Sequence, residues 1–358
     1  MRNRWTRSGV LGASLVLVGA AALAGCGSSN DQADTTKVGK TLVVATHDSW
    51  AMSKEVMADF KKQTGITVKI ATNGDVGELT NKLVLTKGDP IADGVYGIDN
   101  TFATRAVDAG ILARYRPMVT PASENGYALE GDAAAYLSPI DYSDVCVNVD
   151  DTWFAKKKLA PPATLDDLTK PAYKGLTVTE GAKTSSTGLA FLLATIGKYG
   201  ADGWQDYWKN LVANDVKIDQ GWEDAYEVDF TGGGGKGDRP VVVSYSSSPP
   251  FTIPKGATKP TTSALLDTCF RQIEYAGVLA GAKNPLGMQK FIDFMSQRTF
   301  QAALPDNMYV YPVDSNVKLP AGWDTYAPVA PHPYVVKPAD ITANRDTWLR
   351  EWSDVTGR

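Results

Sequence analysis

The segment Thr41-Leu42-Val43-Val44-Ala45 begins the alternation of strands and helices that decides the fold. This short apolar run is typical of a buried strand, and residues 53–63 after it place apolar side chains on one face of a predicted helix. Val68-Lys69-Ile70, residues 76–86 and Gly94-Val95-Tyr96-Gly97-Ile98 then predict a second strand, a second helix and a third strand. Such a βαβαβ order indicates a largely parallel sheet covered by helices.

A second α/β set follows further along the chain. Its predicted strands are residues 177–179, 241–245 and 275–279, and its predicted helices are residues 188–199, 203–212 and 286–296. The run Gly232-Gly233-Gly234-Gly235-Lys236-Gly237 predicts a flexible surface loop. It does not fit a phosphate-binding loop, because neither Ser nor Thr follows Lys236.

The composition is that of a folded protein of about two domains. The chain has 358 residues, of which 43% are hydrophobic and 21% charged, and its formal net charge is −4. This acidity argues against nucleic acid as a partner, because nucleic-acid-binding proteins carry basic surfaces. With two His and three Cys, the chain has little material for a zinc site, and no metal is predicted.

Residues 1–25 have the order of an export signal: Arg2, Arg4 and Arg7, an apolar run, and small residues. A transmembrane anchor is the alternative, although the run of about 14 residues is shorter than the roughly 20 that span a bilayer. Leu23-Ala24-Gly25-Cys26 resembles the lipobox of bacterial lipoproteins, which implies a lipid on Cys26. Residues 26–40 are then a flexible tether, and removal of residues 1–25 leaves 333 residues with a charge of −7.

Export also bears on the two remaining cysteines, Cys146 and Cys269, because an oxidising compartment permits disulfides. A bridge between them would close a loop of over 120 residues and would stabilise the fold by about 4 kcal/mol in the chain-entropy model. Two buried free thiols are the alternative, since sequence alone does not give the distance between the two Cα atoms.

Aromatic residues beside small or polar residues are the clearest sign of a binding cleft. Trp50, Trp222, Tyr245, Tyr309 and Tyr311 are of this kind. Rings together with carboxylates suit a flat cation, because aromatic faces attract positive charge. Two serine clusters, residues 185–186 and 246–248, either cap local structure or hold an anion.

The sequence does not have the features of an enzyme. It contains no G-x-S-x-G nucleophile motif, and a catalytic triad would have only His47 or His332 to draw on. Cys146 and Cys269 have no evident His partner that would activate a thiol. We therefore predict a binding protein without a cofactor.

The residues after the export segment resemble, nearly end to end, the thiamine-binding subunits of ABC importers, a branch of the type 2 periplasmic binding proteins. The similar segments are Thr46-His47-Asp48-Ser49-Trp50, Gly97-Ile98-Asp99-Asn100, Thr184-Ser185-Ser186-Thr187-Gly188-Leu189, Gly221-Trp222-Glu223-Asp224-Ala225-Tyr226, Ser244-Tyr245-Ser246-Ser247-Ser248-Pro249, Tyr311-Pro312-Val313 and Trp348-Leu349-Arg350-Glu351-Trp352. The resemblance implies the α/β type 2 fold, with lobe 1 at residues 41–140 and 271–311 and lobe 2 at residues 141–270 and 312–358. Two hinge strands would cross between the lobes near Ile140 and Cys269, and the cleft would close around the ligand.

The resemblance also implies a set of ligand contacts. They are Asp75, Val76, Ser185, Ser186, Trp222, Tyr245, Ser246, Ser247 and Ser248, with Phe251, Tyr309 and His47 at further aromatic positions and Asp48 and Asp99 as additional candidates. Trp222, Tyr245 and Tyr309 would stack on the ligand rings. Asp75 would balance the cation or accept from the 4-amino group, and the serines would receive the hydroxyethyl or phosphate end. Asp99 alternatively caps a helix that starts near Thr101. His47, Phe251 and Tyr309 stand where the family more often has Tyr, Tyr and Trp.

The function that these features predict is capture of thiamine or its phosphates outside the cytoplasmic membrane. The protein would be a monomer, held by the Cys26 lipid to the outer face of that membrane, and would deliver its ligand to an ABC permease and its ATPase. Ferric iron or a polyamine is the alternative ligand. An extracellular thiamine-cleaving enzyme is the alternative from another functional class.

Overall fold

The computed structural model describes residues 36–358, so the predicted export segment 1–25, Cys26 and residues 26–35 of the predicted tether lie outside the described part. Within it the strands are β1 (Thr41–Thr46), β2 (Thr67–Thr72), β3 (Gly94–Asp99), β4 (Leu112–Ala113), β5 (Ser138–Asp150), β6 (Thr177–Glu180), β7 (Lys217–Asp219), β8 (Val241–Tyr245), β9 (Thr262–Leu279) and β10 (Tyr311–Pro312). The α-helices are α1 (Lys54–Thr64), α2 (Val76–Leu85), α3 (Ala103–Asp108), α4 (Asp151–Lys157), α5 (Ser186–Tyr199), α6 (Trp204–Ala213), α7 (Pro285–Met295), α8 (Arg298–Gln301), α9 (Leu304–Met308), α10 (Trp323–Tyr326) and α11 (Pro338–Thr356). A π-helix spans Asp224–Asp229, and 3-10 helices span Ala122–Gly126, Gly131–Ala135, Asp166–Thr169, Pro171–Tyr173 and Pro249–Thr252. None of the described helices is both long and apolar enough to cross a bilayer.

The strands of residues 36–358 form one mixed sheet with the order β2-β1-β3-β9-β5-β8-β6-β7, to which β4 adds beside β9 and β10 beside β5. At one end β1 is parallel to β2 and β3, and at the other β6 is parallel to β7 and β8. Both parallel sets agree with the order of elements in the sequence. They form the two α/β lobes of the molecule.

Strands β5 and β9 join the two lobes. They pair antiparallel from Ser138 opposite Ala276 to Asp150 opposite Thr262. The carboxyl end of β9 pairs with β3 in the first lobe, and the carboxyl end of β5 pairs with β8 in the second. The predicted lobe boundaries at residues 140, 270 and 311 remain predictions, while the crossing itself is made by these two long strands.

The sequence patterns miss β5 altogether and predict only the last five residues of β9. The reason is that charged side chains are buried inside both strands. Asp144, fully buried on β5, accepts hydrogen bonds from Nε (2.8 Å) and Nη2 (3.0 Å) of Arg271 and from the backbone N–H of Ala330 (2.7 Å). Asp141 is equally buried and accepts from the Tyr96 hydroxyl. Such partners make burial of a carboxylate tolerable, but they lie far away in the sequence.

Cys146 on β5 and Cys269 on β9 are joined by a disulfide in the structure, across 123 residues of sequence. Both cysteines are fully buried. Of the two alternatives that the sequence leaves open, the structure therefore has the bridge, and it fastens the two crossing strands to each other.

Helix ends differ from the predicted ones by at most two residues, and local capping sets them. Helix α1 begins after Ser53, whose Oγ accepts from the N–H of Val56, and ends at Gly65, which has a φ of 76°. Helix α5 begins at Ser186, two residues before its predicted start, because the Ser185 hydroxyl accepts from the N–H of Gly188.

The glycine run at residues 232–237 does not behave only as a flexible surface loop. A Cβ atom at Gly233, Gly235 or Gly237 would collide with backbone carbonyl oxygens of residues 226–229. The run therefore packs closely against the π-helix, an approach that glycine alone permits. This packing matters for the site, because the π-helix carries Glu227.

Candidate functional site

A cleft of about 240 Å³ lies where the loops at the carboxyl ends of the two parallel sets meet. From the first lobe it is lined by residues 47–51 after β1, by Glu274 on β9 and by residues 307–310 at the end of α9. From the second it is lined by Trp222, Glu223 and Glu227 at the π-helix and by Tyr245 at the end of β8. Ligands of open α/β sheets bind at the carboxyl ends of strands, which makes this cleft the candidate site.

Four aromatic rings line the cleft: Trp50, Trp222, Tyr245 and Tyr309. The Trp222 indole is held in place, because it stacks on Tyr226 with ring centroids 4.8 Å apart and its Nε1–H donates to the Ser244 hydroxyl (2.9 Å). Tyr309 ends α9 with a φ of 59°, a left-handed conformation that is rare for a bulky residue. Such backbone strain is often found at functional sites, and here it occurs at a ring of the cleft wall.

Carboxylates form the other part of the wall. Asp48, Glu223, Glu227 and Glu274 line the cleft, and none of the described lining residues is Lys or Arg. Burial, together with the negative charge of Asp48 and Glu227, raises the pKa of Glu223 above its ordinary value. The wall therefore has a concentrated negative charge, and His47 is the one basic side chain among its described lining residues.

Glu274 belongs to a buried polar network beneath the cleft. Its Oε1 lies 3.2 Å from Nε2 of His47, and its Oε2 lies 3.5 Å from the Tyr96 hydroxyl, which donates to Asp141. Burial alone would lower the pKa of His47, but the Glu274 carboxylate, together with Asp75 and Asp48, outweighs it and raises that pKa. The network fixes the Glu274 carboxylate at the floor of the cleft.

Asp75 connects the two lobes, and its carboxylate does not line the cleft. It accepts hydrogen bonds from the backbone N–H groups of Val76 (2.6 Å), Ser186 (3.2 Å) and Trp222 (3.1 Å). We call these contacts the Asp75 clasp. Since Asp75 precedes α2 in the first lobe, while Ser186 and Trp222 belong to the second, the clasp exists only when the lobes are in contact. Burial raises the pKa of Asp75 despite these donors.

The predicted serine contacts are built into the fold. Ser185 caps α5, and the Ser186 hydroxyl accepts from Nε2 of Gln272 (3.0 Å). Ser247 bonds to the Ser143 hydroxyl and donates to the carbonyl of Tyr309. The Ser248 hydroxyl bonds to that of Ser244 and accepts from the N–H of Tyr245, while Ser246 is fully buried.

The remaining predicted residues surround the cleft without lining it. Val76 lies in the core, and Phe251 stacks behind Tyr309 with ring centroids 3.3 Å apart. Asp99 accepts from the N–H groups of Thr101 and Phe102 just before α3, which is the capping role that the sequence offers as its alternative. Burial raises the pKa of Asp99 to about 7.

Five predicted residues thus line the cleft together: His47, Asp48, Trp222, Tyr245 and Tyr309. Sequence reasoning missed the carboxylates Glu223, Glu227 and Glu274. Glu223 directly follows Trp222, so its position next to a predicted ring of the site could have indicated it. Glu274 gave none, because it lies within β9 and its His47 partner is distant in the chain.

Comparison with known proteins agrees with this geometry. A family model described as a bacterial extracellular solute-binding protein matches residues 89–249. The thiamine-binding periplasmic protein of Escherichia coli K12 is 29% identical over 323 residues, which cover 88% of this chain and 94% of that one. The protein of the same name from Brucella suis is 29% identical, with 89% and 92% covered.

A solved structure of a periplasmic thiamin binding protein superposes with a TM-score of 0.76 at 28% identity, covering 89% of this chain and 96% of that one. The two-lobed α/β fold is therefore shared with a solved protein. Over residues 89–249 the chain is thus similar to the bacterial extracellular solute-binding proteins, and it has the type 2 periplasmic-binding-protein fold.

Proposed function

We propose that this protein captures thiamine in the cleft between its lobes and delivers it to an ABC importer. The observation that carries the proposal is a cleft whose walls combine four aromatic rings with carboxylates. Thiamine presents two flat rings, one of them a permanently charged thiazolium, and both ring stacking and cation–π attraction favour such a ligand. The names of the relatives agree with this ligand.

Within the site we assign stacking on the ligand rings to Trp222, Tyr245 and Tyr309. The charge of the thiazolium is balanced by Asp48 and by Glu274, which also pairs with His47, whereas the Asp75 carboxylate accepts three backbone donors and does not line the cleft. Asp75 acts instead by holding the lobes closed around the ligand. Ligand binding and closure are then coupled, because Trp222 both lines the cleft and donates to Asp75.

The protein is proposed to work outside the cytoplasmic membrane as a monomer. Residues 1–25 direct export, and Cys26 carries the lipid that holds the protein to the outer face of that membrane. The partners are an ABC permease, which receives thiamine from the closed form, and its ATPase.

Replacement Cys26→Ser should release the protein from membranes into the soluble fraction, and continued membrane retention would contradict lipid attachment at this residue.

No catalytic step is proposed. The relatives are named as binding proteins, and the two cysteines of the described chain are bonded to each other, so that neither offers a thiolate nucleophile. Among residues 36–358, no group of three or more His, Cys, Asp and Glu side chains has the arrangement of a metal site. Iron or polyamine binding thus has no observation that favours it over thiamine.

Titration of the purified protein with thiamine, ferric citrate and spermidine tests the ligand. Thiamine should change the tryptophan emission, since Trp50 and Trp222 line the cleft, and should raise the melting temperature. Spermidine has no ring to stack and should do neither, and ferric citrate should bind no better. If emission, calorimetry and melting temperature all ignore millimolar thiamine, the proposed ligand is wrong.

Replacement Trp222→Ala should weaken thiamine binding by at least about tenfold, because ring stacking and cation–π contacts contribute roughly 1–2 kcal/mol. Isothermal calorimetry measures the affinity. Trp153→Ala is the matched control, since this partly exposed tryptophan on α4 does not line the cleft. Equal thiamine affinities for the two variants would remove Trp222 from the site.

Replacement Asp75→Asn should weaken thiamine binding by about tenfold or more. The amide oxygen of Asn can accept hydrogen bonds but its NH2 group cannot, so at least one backbone donor of the clasp loses its partner. Buried hydrogen bonds to charged groups contribute about 1.5–3 kcal/mol. The melting temperature without ligand should change little, since Asn still caps α2. Glu78→Gln is the control: Glu78 lies on the same helix and accepts an exposed hydrogen bond from Gln220 of the other lobe. An Asp75→Asn affinity as high as that of Glu78→Gln would contradict the clasp.

A further inference from the structure

We propose that the protein has a second binding site, for a small tetrahedral oxyanion such as inorganic phosphate, between helices α3 and α11. The site is a cavity of about 330 Å³ that shares no described lining residue with the candidate ligand cleft. It therefore goes beyond the proposed function and does not depend on it. Two observations carry the proposal: both arginines that line the cavity, Arg105 and Arg345, have a buried N–H group without an acceptor, and they come from opposite lobes.

Arg345 on α11 is 8% exposed, and arginines are rarely so buried unless they are paired. Its Nη1 donates to Asp346 at 3.2 Å, and its Cζ lies 5.0 Å from the centroid of the Phe102 ring. These contacts use one edge and one face of the guanidinium. The Nε–H group is buried and has no acceptor among residues 36–358. A buried donor of this kind is costly unless a partner supplies an oxygen.

Arg105 on α3 also has a buried Nε–H group for which residues 36–358 supply no acceptor. The two guanidinium groups affect each other. Burial lowers the pKa of Arg345, and the positive charge of Arg105 lowers it further, against the opposing effects of Asp346 and Asp99. An anion held between two such groups would remove their repulsion and accept from both Nε–H groups.

The cavity also has acidic residues, Asp108 and Asp346, in its described lining. Both are exposed, so water screens their charges, and Asp346 accepts from Nη1 of Arg345 rather than from Nε. The two Nε–H groups therefore remain available to a ligand that carries several oxygens. A tetrahedral oxyanion suits them, because guanidinium groups bind phosphate oxygens through paired, coplanar N–H donors.

The position of the cavity relates it to the lobes. Helix α3 follows β3 of the first lobe, whereas α11 packs on α6 of the second, where the Trp352 and Trp208 rings have centroids 5.6 Å apart. An oxyanion bound by both Arg105 and Arg345 would therefore connect the lobes at a place distinct from the Asp75 clasp. The site is complete only while α3 and α11 are in contact.

Calorimetric titration of the unmodified protein with inorganic phosphate tests the site, and chloride at equal ionic strength controls for screening. Phosphate should bind and should raise the melting temperature above its value in chloride. Binding should persist at saturating thiamine, since the cavity and the cleft have no described lining residue in common.

Replacement Arg105→Gln should weaken phosphate binding by at least about tenfold, because a charged hydrogen-bond donor is lost. Arg350→Gln is the matched control and should retain the affinity, since it removes the same charge from an exposed position on α11 that does not line the cavity. Melting curves in chloride verify that both variants are folded.

Absence of phosphate binding by the unmodified protein would overturn the proposal, and so would equal phosphate affinities for Arg105→Gln and Arg350→Gln. Displacement of phosphate by thiamine would place the anion in the ligand cleft and would overturn the proposed location. Failure of thiamine itself to bind would instead contradict the proposed function, and the phosphate titration would still decide the second site. Because that titration uses the unmodified protein, it does not depend on whether a variant folds.

Discussion

The antiparallel pairing of β5 with β9 is the constraint on which the rest of the structure depends. Each strand contributes to both lobes, so a shift of one residue in their register would turn every side chain on them to the opposite face. Two interactions hold the register near the crossing: the Cys146–Cys269 disulfide and the bidentate Asp144–Arg271 ion pair. Removal of one partner would leave a buried charge uncompensated, a large cost that opposes any slip of the strands.

The same strands determine the chemistry of the cleft floor. Glu274 reaches the cleft only because β9 continues past the crossing into the first lobe, where it pairs with β3. There its carboxylate meets His47, which follows β1, and the Tyr96 hydroxyl of β3. A buried network of this kind is favourable only as a whole, because each polar group loses its water. The position of Glu274 is therefore as rigid as the central sheet.

Much of the fold could be predicted from periodicity alone, because β1, α1, α5 and α6 bury apolar faces whose spacing is local. The crossing strands could not, since Asp141 and Asp144 are inconsistent with a buried strand until Tyr96 and Arg271 are known to face them. The site divides in the same way. The rings of Trp222, Tyr245 and Tyr309 stand out beside small residues, and each lines the cleft. Glu274 and the clasp depend on partners from other elements, so no local pattern indicates them.

The clasp also explains how closure of the lobes can depend on one side chain. Asp75 supplies, from within the protein, the negative charge that the N–H groups of Ser186 and Trp222 require. Closure of the lobes then needs no anion from the ligand, and the ligand contributes only what the rings and the acidic wall favour, a flat shape and a positive charge. Because Trp222 lines the cleft and its N–H donates to Asp75, one residue belongs to both the cleft and the clasp, so that binding in the cleft and closure of the lobes favour each other.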